Sequence, residues 1–206
     1  MTEVIIVQDR QLMRRIEVQA GQRTDMVLLV MPGVSCDVKL DVRLSGEGAE
    51  ANVYGAYVCG GEEKMKIAVD MYHDVPHCNS RQLFKGIAGG VSKVDFYGKI
   101  IVAQDAQRTE AYQENHNILL TDGAKVDTKP QLEIYADDVK CSHGATIGRL
   151  NEEEQFYMRS RGISLEDAKV LQMISFIAPV LEIIKDESER EQLAMSFEDA
   201  IRKLVK

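Results

Sequence analysis

The amino-acid sequence predicts a mainly β protein whose C-terminal part is helical. Polar and apolar side chains alternate along residues 36–44 and again along 65–71, which is the period of a strand with one buried face. Glycine and polar breaks recur at short intervals through residues 1–148, where helix signals are nearly absent. Capped segments with apolar residues at helical spacing then follow. We therefore expect a β domain at 1–148 and a helical domain at 149–206.

The β region contains two kinds of strand. The alternating runs place one set of apolar side chains on a common face: Cys36, Val38, Leu40, Val42 and Leu44 in the first run, and Met65, Ile67, Val69 and Met71 in the second. Further apolar runs lie at residues 4–7, 26–31, 94–102 and 132–135. Many short strands between small turns are typical of a sandwich, a barrel or a solenoid. No strict repeat is visible, so periodicity alone leaves these three architectures open.

The sequence of the C-terminal region predicts three helices. Asn151, followed by a glutamate three residues later, predicts the start of the first helix, and Gly162 predicts its end. Ser164 is expected to cap the second helix and Ser188 to begin the third, with a kink at Pro179. Two apolar stripes follow helical spacing: Leu171, Ile174, Ile177, Leu181 and Ile184, then Leu193, Phe197, Ile201 and Leu204. These stripes predict a packed core, and the alternative is a face that binds a partner.

The overall charge, the apolar segments and the cysteine pattern indicate which partners and which cellular compartment the protein has. The formal net charge of -8 argues against a surface that binds nucleic acid or anionic membranes. The N-terminal residues lack the apolar segment of a signal peptide, and the apolar runs at 26–34 and 170–184 are too short or too interrupted to span a bilayer. The four cysteines form no CxxC pair, which favours free thiols in a reducing compartment. We therefore expect a cytoplasmic protein that is not embedded in a membrane.

Two clusters contain side chains that could bind a metal ion or take part in catalysis. His73, His77 and Cys78 lie close together in sequence, but their spacing matches no zinc motif, and a structured turn is the favoured interpretation. Cys141 and His143 are separated by one residue, so on a strand both would point to the same face. A thiolate beside an imidazole could bind iron, copper or zinc, or act as a Cys–His nucleophile. The alternative is that the Cys141 side chain only fills space in the core and that His143 only satisfies hydrogen bonds of a turn.

Motifs of common enzyme classes are absent from the sequence. It contains no phosphate-binding GxxxxGK[ST] loop, so we do not expect the chain to hydrolyse ATP itself. It also lacks the HExxH motif of zinc proteases and the GxSxG motif of serine hydrolases. We therefore expect a protein that is not a conventional enzyme.

Four segments resemble the SufB/SufD family of iron–sulfur cluster assembly proteins: residues 73–86, 96–102, 105–148 and 156–164. The KCSHGAT segment is more similar to the SufD half of the family than to the SufB half. The resemblance implies a right-handed β-helix followed by a small helical domain. It also implies that the helical domain docks a SufC-like ABC-type ATPase. The β-helix would pair with a second copy or with a SufB-like subunit, and a transient iron–sulfur cluster would form near that junction.

The resemblance also implies roles for individual residues. His143 falls on the SufD-side histidine that is implicated at the cluster site, and Cys141 falls on the adjacent family cysteine. SufB-type proteins place a cysteine where this chain has Asn115, and a carboxylate where it has Gly144. Three hypotheses follow from these matches and departures. The chain is a scaffold that helps to hold a cluster, a structural SufD-like partner that does not ligate it, or a hydrolase that uses Cys141 and His143.

Overall fold

The computed structural model describes residues 2–205, which form eleven strands and then three helices. The strands belong alternately to two parallel sheets. The first sheet contains β1 (Thr2–Val7), β3 (Arg23–Val30), β5 (Glu50–Cys59), β7 (Asn79–Ala88), β9 (Glu110–Leu119) and β11 (Lys140–Gly148). The second sheet contains β2 (Gln11–Val18), β4 (Cys36–Leu44), β6 (Lys64–His73), β8 (Lys93–Val102) and β10 (Lys125–Ile134). The helices are α1 (Glu152–Ser160), α2 (Leu165–Leu181) and α3 (Glu187–Val205).

The chain winds as a parallel β-solenoid of about five turns, because consecutive strands change sheet and each strand pairs with the strand two further along the chain. The expectation of a β-solenoid followed by helices is thus confirmed. The register explains why no strict repeat is visible in the sequence. Glu50 pairs with Asn79 and Asn79 with Glu110, so one turn takes 29 residues and the next takes 31. Turns of unequal length hide the repeat while the strand ladder stays in register.

The main hydrophobic core lies between the two sheets. The alternating residues predicted on β4 and β6, from Cys36 to Leu44 and from Met65 to Met71, are all buried there. In the middle of the core the rings of Phe84 and Phe96 pack at a centroid distance of 4.8 Å. Burial of a Phe, Leu or Ile side chain contributes roughly 1.5–3 kcal/mol, so this interior supplies most of the driving force for the solenoid.

The helix caps follow the sequence signals in two of the three helices. Asn151 Oδ1 accepts a hydrogen bond from the Glu153 N–H at 2.9 Å, and Gly162 ends α1 with φ of 90°. The Ser164 hydroxyl caps α2. The expectation that Ser188 begins α3 is wrong, because α3 begins at Glu187 and the carboxylate of the preceding Asp186 accepts the Glu189 N–H. A carboxylate also interacts favourably with the positive end of the helix dipole.

The helices cover the outer face of the first sheet. Buried apolar side chains on that face share one cluster with α2 and α3: Val27, Leu29, Ala56, Val58 and Ile87. On α2 the buried residues include Val170, Met173 and Ile177, whereas Leu171 is exposed, so the stripe predicted to contain Leu171 is wrong at that residue. On α3 the predicted Phe197 and Ile201 are buried. The helical region therefore packs on the solenoid as well as on itself.

Within residues 2–205, none of the helices combines the length and the apolar character that a bilayer crossing requires. The longest, α3, carries charged residues at both ends and along its exposed side.

We predict that Phe197→Ala lowers the free energy of unfolding by about 3–5 kcal/mol, because Phe197 is completely buried where α3 meets the rest of the second cluster. Met195→Ala on the same helix should change it by less than about 0.5 kcal/mol, because Met195 is 60% exposed. Denaturant unfolding followed by circular dichroism measures both. Equal effects of the two substitutions would contradict the packing of α3 on the solenoid.

Candidate metal site on the last strand of the solenoid

The last turn of the solenoid leaves two strand edges without a partner in the described part of the chain. Strand β11 pairs on one side with β9, and β10 pairs on one side with β8. The two strands contact each other, so both open edges lie at the same end of the molecule. Unpaired backbone N–H and C=O groups at such an edge can pair with another chain.

Cys141 and His143 both lie on β11 and point to its interior side. Their register partners on β9 are Ala111 and Gln113, which are both buried. Cys141 is half-buried and packs against the main core, whereas His143 is exposed because no strand within residues 2–205 pairs with the outer edge of β11. The structure thus places the thiol and the imidazole on one face at the open end, as their spacing predicts.

The surroundings of Cys141 determine the chemistry that its thiol can perform. Burial raises the pKa of Cys141, although the backbone N–H of Ala111 partly opposes this effect. The side chain is therefore a protonated thiol at neutral pH, which is a poor nucleophile. A metal ion can still displace the proton, since metal binding and deprotonation are coupled. The site is chemically better suited to metal binding than to nucleophilic catalysis.

One chain supplies few metal ligands at this place. No group of three or more His, Cys, Asp or Glu side chains within residues 2–205 is close enough together to hold a metal ion. Asn115 lies inside the solenoid, where its amide donates to the Tyr57 hydroxyl at 3.5 Å. Gly144 follows His143 on the strand and faces the opposite side, with open space around it. The positions of the two SufB-type ligands therefore add no further donor beside Cys141 and His143.

The other predicted cluster is not brought together around a common point. His73 is buried inside the solenoid and shares a hydrogen bond of 2.9 Å with Ser80 Oγ. Cys78 is also buried, and its thiol donates to the Gly46 carbonyl oxygen at 3.4 Å. His77 is exposed in the turn between them, with φ of 60°. This geometry is that of a structured turn.

The remaining thiols are also buried and unreactive. Burial raises the pKa of Cys36 to about 11 and that of Cys59 to about 12. All four cysteines are free. Among them Cys141 alone is partly exposed, so it is the thiol that a metal ion or a partner can reach.

A second surface, which the sequence analysis did not single out by residue, lies on α1. Phe156 and Tyr157 are 74% and 60% exposed, which is unusual for aromatic side chains. Phe156 also lines a groove with Leu150 and Leu165, where α1 meets α2. A helical wheel of α1 could have found this surface, because the aromatic pair falls outside any apolar stripe.

Comparisons with known proteins identify the family of this chain. Residues 12–176 match the family described as SUF system FeS cluster assembly, SufBD core domain. The chain belongs to the SufBD core family. It is 42% identical over 151 residues to the iron–sulfur cluster assembly protein SufD of Escherichia coli, an alignment that covers 73% of this chain and 36% of that protein.

Two further relatives come from other bacterial groups. A SufBD family protein of Synechocystis, slr0076, is 46% identical over 109 residues, which are 53% of this chain and 24% of the relative. A SufBD family protein of Mycobacterium leprae, ML0594, is 31% identical over 180 residues, which are 84% of this chain and 46% of the relative. The SufBD chain described here thus spans less than half the length of these curated relatives.

We predict that the free energy of unfolding falls as the pH is lowered from about 6.5 to about 4. Burial lowers the pKa of His73 to about 4, whereas the unfolded chain binds that proton near 6.5. The unfolded state therefore binds more protons in this pH window. The free energy of unfolding has its full value above pH 6.5 and falls by about 3 kcal/mol as the pH is lowered. Urea unfolding at several pH values measures the change.

His73→Gln is the matched variant, because it retains a polar side chain of similar size without a titrating group. It should remove most of the pH dependence between about 6.5 and 4.5. His77→Gln should leave the dependence intact, because His77 is exposed. A wild-type curve that is flat in this window would contradict the buried position of His73.

Proposed function

We propose that the chain is a scaffold component of iron–sulfur cluster assembly, acts without catalysis of its own, and holds a transient cluster with Cys141 and His143. The observation that carries the proposal is the thiol–imidazole pair on an open edge strand, within the segment that matches the SufBD core family. In this proposal the β domain of residues 1–148 bears the cluster site, and the helical domain of residues 149–206 binds an ATPase. The proposed location is the cytoplasm, whose reducing conditions keep the four cysteines as thiols.

The donor atoms of Cys141 and His143 suit the proposed iron–sulfur cluster. Cysteine thiolate and histidine imidazole are protein ligands of iron–sulfur centres, as in Rieske-type sites that combine both. Cys141 and His143 lie two residues apart on one face, so one metal centre at the strand edge can contact both. The half-buried thiol and the exposed imidazole also leave the centre accessible for delivery and release.

A second subunit would complete the site. Pairing along the free edges of β10 and β11 would satisfy their unpaired backbone groups. A two-fold arrangement of two copies would bring two thiols and two imidazoles together, which suffices for a small cluster. A SufB-like subunit is the other candidate partner, since it would supply the ligands that Asn115 and Gly144 replace here.

We predict that Cys141→Ser and His143→Ala each lower the iron content after anaerobic reconstitution with iron and sulfide, with the larger loss in Cys141→Ser because it removes a thiolate. Iron should sediment with a dimer in the wild type and be lost from that species in the variants. His77→Ala is the matched control, because it removes an exposed histidine away from the strand edge. Iron analysis combined with sedimentation velocity measures both quantities.

The purely structural alternative makes a different prediction for the same variants. If Cys141 only fills the core, Cys141→Ser lowers the melting temperature, His143→Ala does little, and iron loading is unchanged in both. The positions of Asn115 and Gly144, which add no ligand, favour this alternative. Unchanged iron loading together with dimer formation would establish it in place of the scaffold role.

The exposed aromatic pair of α1 is the proposed docking surface for a SufC-like ABC-type ATPase. Phe156 and Tyr157 project from a helix whose one buried member is Gln155, so neither aromatic ring is buried by packing within residues 2–205. The adjacent groove with Leu150 and Leu165 could accept an apolar side chain of a partner. The same segment lies in the stretch 156–164 that resembles the SufB/SufD family.

We predict that Phe156→Ala combined with Tyr157→Ala lowers co-purification of the chain with a SufC-like ATPase by at least tenfold, because aromatic anchors commonly dominate interfaces. Met195→Ala, an equally exposed substitution on α3, should leave it unchanged. Deletion of residues 150–206 is a poor test, because it would uncover the apolar outer face of the first sheet. Full ATPase binding by the double variant would place the interface elsewhere.

A further inference from the structure

A single row of interior side chains leads from the middle of the solenoid to His143. Val53, Gln82, Gln113 and His143 are register partners on β5, β7, β9 and β11. Neighbouring strands lie about 4.8 Å apart, so successive side chains of this row stack on one another. Gln113 is therefore the interior neighbour of His143.

The amides of the two glutamines are buried without partners. Gln82 and Gln113 are 0% and 1% exposed, and neither the oxygen nor the nitrogen of either amide has a hydrogen-bond partner within the described residues. In the rows beside them, by contrast, Tyr57, Asn115 and Asn117 bond to one another. A buried polar group without a hydrogen-bond partner is destabilising, and β5 carries an aliphatic residue in the same row. Packing alone does not explain two glutamines there.

The opposite sheet leaves space for the amide of Gln113. Gly98 on β8 faces it, and a Cβ at position 98 would lie 1.5 Å from Gln113 Nε2. Gly98 does not have the positive φ that requires glycine for conformational reasons. The missing side chain therefore serves to admit the glutamine amide into the row.

We propose that Gln113 is a positioning residue for His143: its amide oxygen accepts the imidazole N–H and so leaves the other ring nitrogen free to bind iron. The Gln113 amide nitrogen would then donate to Gln82 Oε1, so three of the four unpartnered atoms would gain a partner. Neither bond is present in the described conformation, and rotation of the buried side chains would form both. In-register amide ladders occur in stacked parallel sheets, and a metal-binding histidine almost always donates its second N–H to an acceptor. The metal-binding part rests on the function proposed above, whereas the pairing of Gln113 with His143 does not.

The ring tautomer of His143 in the iron-free, full-length chain tests the pairing. In a chain labelled with nitrogen-15 histidine, long-range proton–nitrogen spectra show which nitrogen carries the proton in each of the four rings, and His143→Ala assigns the signal. We expect one tautomer for His143 in the wild type. Gln113→Met, which keeps the side-chain length and removes the amide, should return His143 to a mixture of both. Gly98→Ala, which displaces the amide from the opposite sheet, should have the same effect.

Two further variants separate positioning from general disruption. Gln113→Glu retains an oxygen acceptor and should keep the single tautomer. Ser80→Ala removes the hydrogen bond of the buried His73 and should move the His73 signals alone. An unchanged His143 tautomer in both Gln113→Met and Gly98→Ala overturns the positioning role.

Iron binding provides the second measurement. Gln113→Met should weaken iron retention about tenfold or more, and should have no additional effect in the His143→Ala background. An additional loss in that background would show that Gln113 acts on the site independently of His143, which contradicts the proposal. A wild-type chain with a single His143 tautomer that retains no iron would overturn the proposed function and leave the pairing of Gln113 with His143 established.

Discussion

The stacking of parallel strands in register is the constraint on which the rest of this structure depends. Each interior position of one turn lies on the equivalent position of the next, as Val38, Ile67 and Phe96 do in the second sheet. The space between the sheets is limited, so a large side chain in one turn requires a small neighbour. Gly55 provides that space for Phe84, since a Cβ at Gly55 would lie 2.1 Å from the Phe84 ring. The volumes of side chains in one row therefore compensate each other, and a substitution in one turn changes the packing of the next turn.

The outward-facing residues decide which sheet the helices cover. The first sheet presents residues such as Val27 and Val58, whose burial against α2 and α3 is favourable. The second sheet presents cross-strand ion pairs, among them the pair of Lys99 on β8 with Glu133 on β10 at 3.0 Å. Exposed pairs of this kind contribute at most about 1 kcal/mol each, but burying them under a helix would require their desolvation. The asymmetric placement of the helical region is therefore a consequence of the side chains on the two outer faces.

The sequence predicts those features that depend on local patterns and misses those that depend on register. Alternation identifies the buried residues of β4 and β6, and the caps at Asn151 and Ser164 are local signals. Turns of 29 and 31 residues, however, cannot be aligned from alternation alone, so the register that places Gln113 beside His143 is invisible before the fold is known. The spacing of Cys141 and His143 is local, which is why this pair could be proposed from sequence and its surroundings could not. On α2 the apolar segment is nearly continuous, so the spacing of apolar residues does not show which face of the helix is buried. Leu171 was therefore wrongly predicted to be buried.

In the proposed function, the position of His143 at the end of its row would also link cluster binding to subunit pairing. His73, an interior histidine in a complete turn, is fully buried, and desolvation holds it in the neutral form that a metal requires. His143 occupies an interior row as well, but it is exposed because β11 is the last strand of its sheet in the described part of the chain. A partner strand on that edge would extend the row and bury His143 beside Gln113. The same strand would enclose Cys141, whose thiol needs a bound cation to lose its proton in a buried environment. Pairing along the edge and binding of iron would therefore stabilise each other, and removal of either should weaken the other.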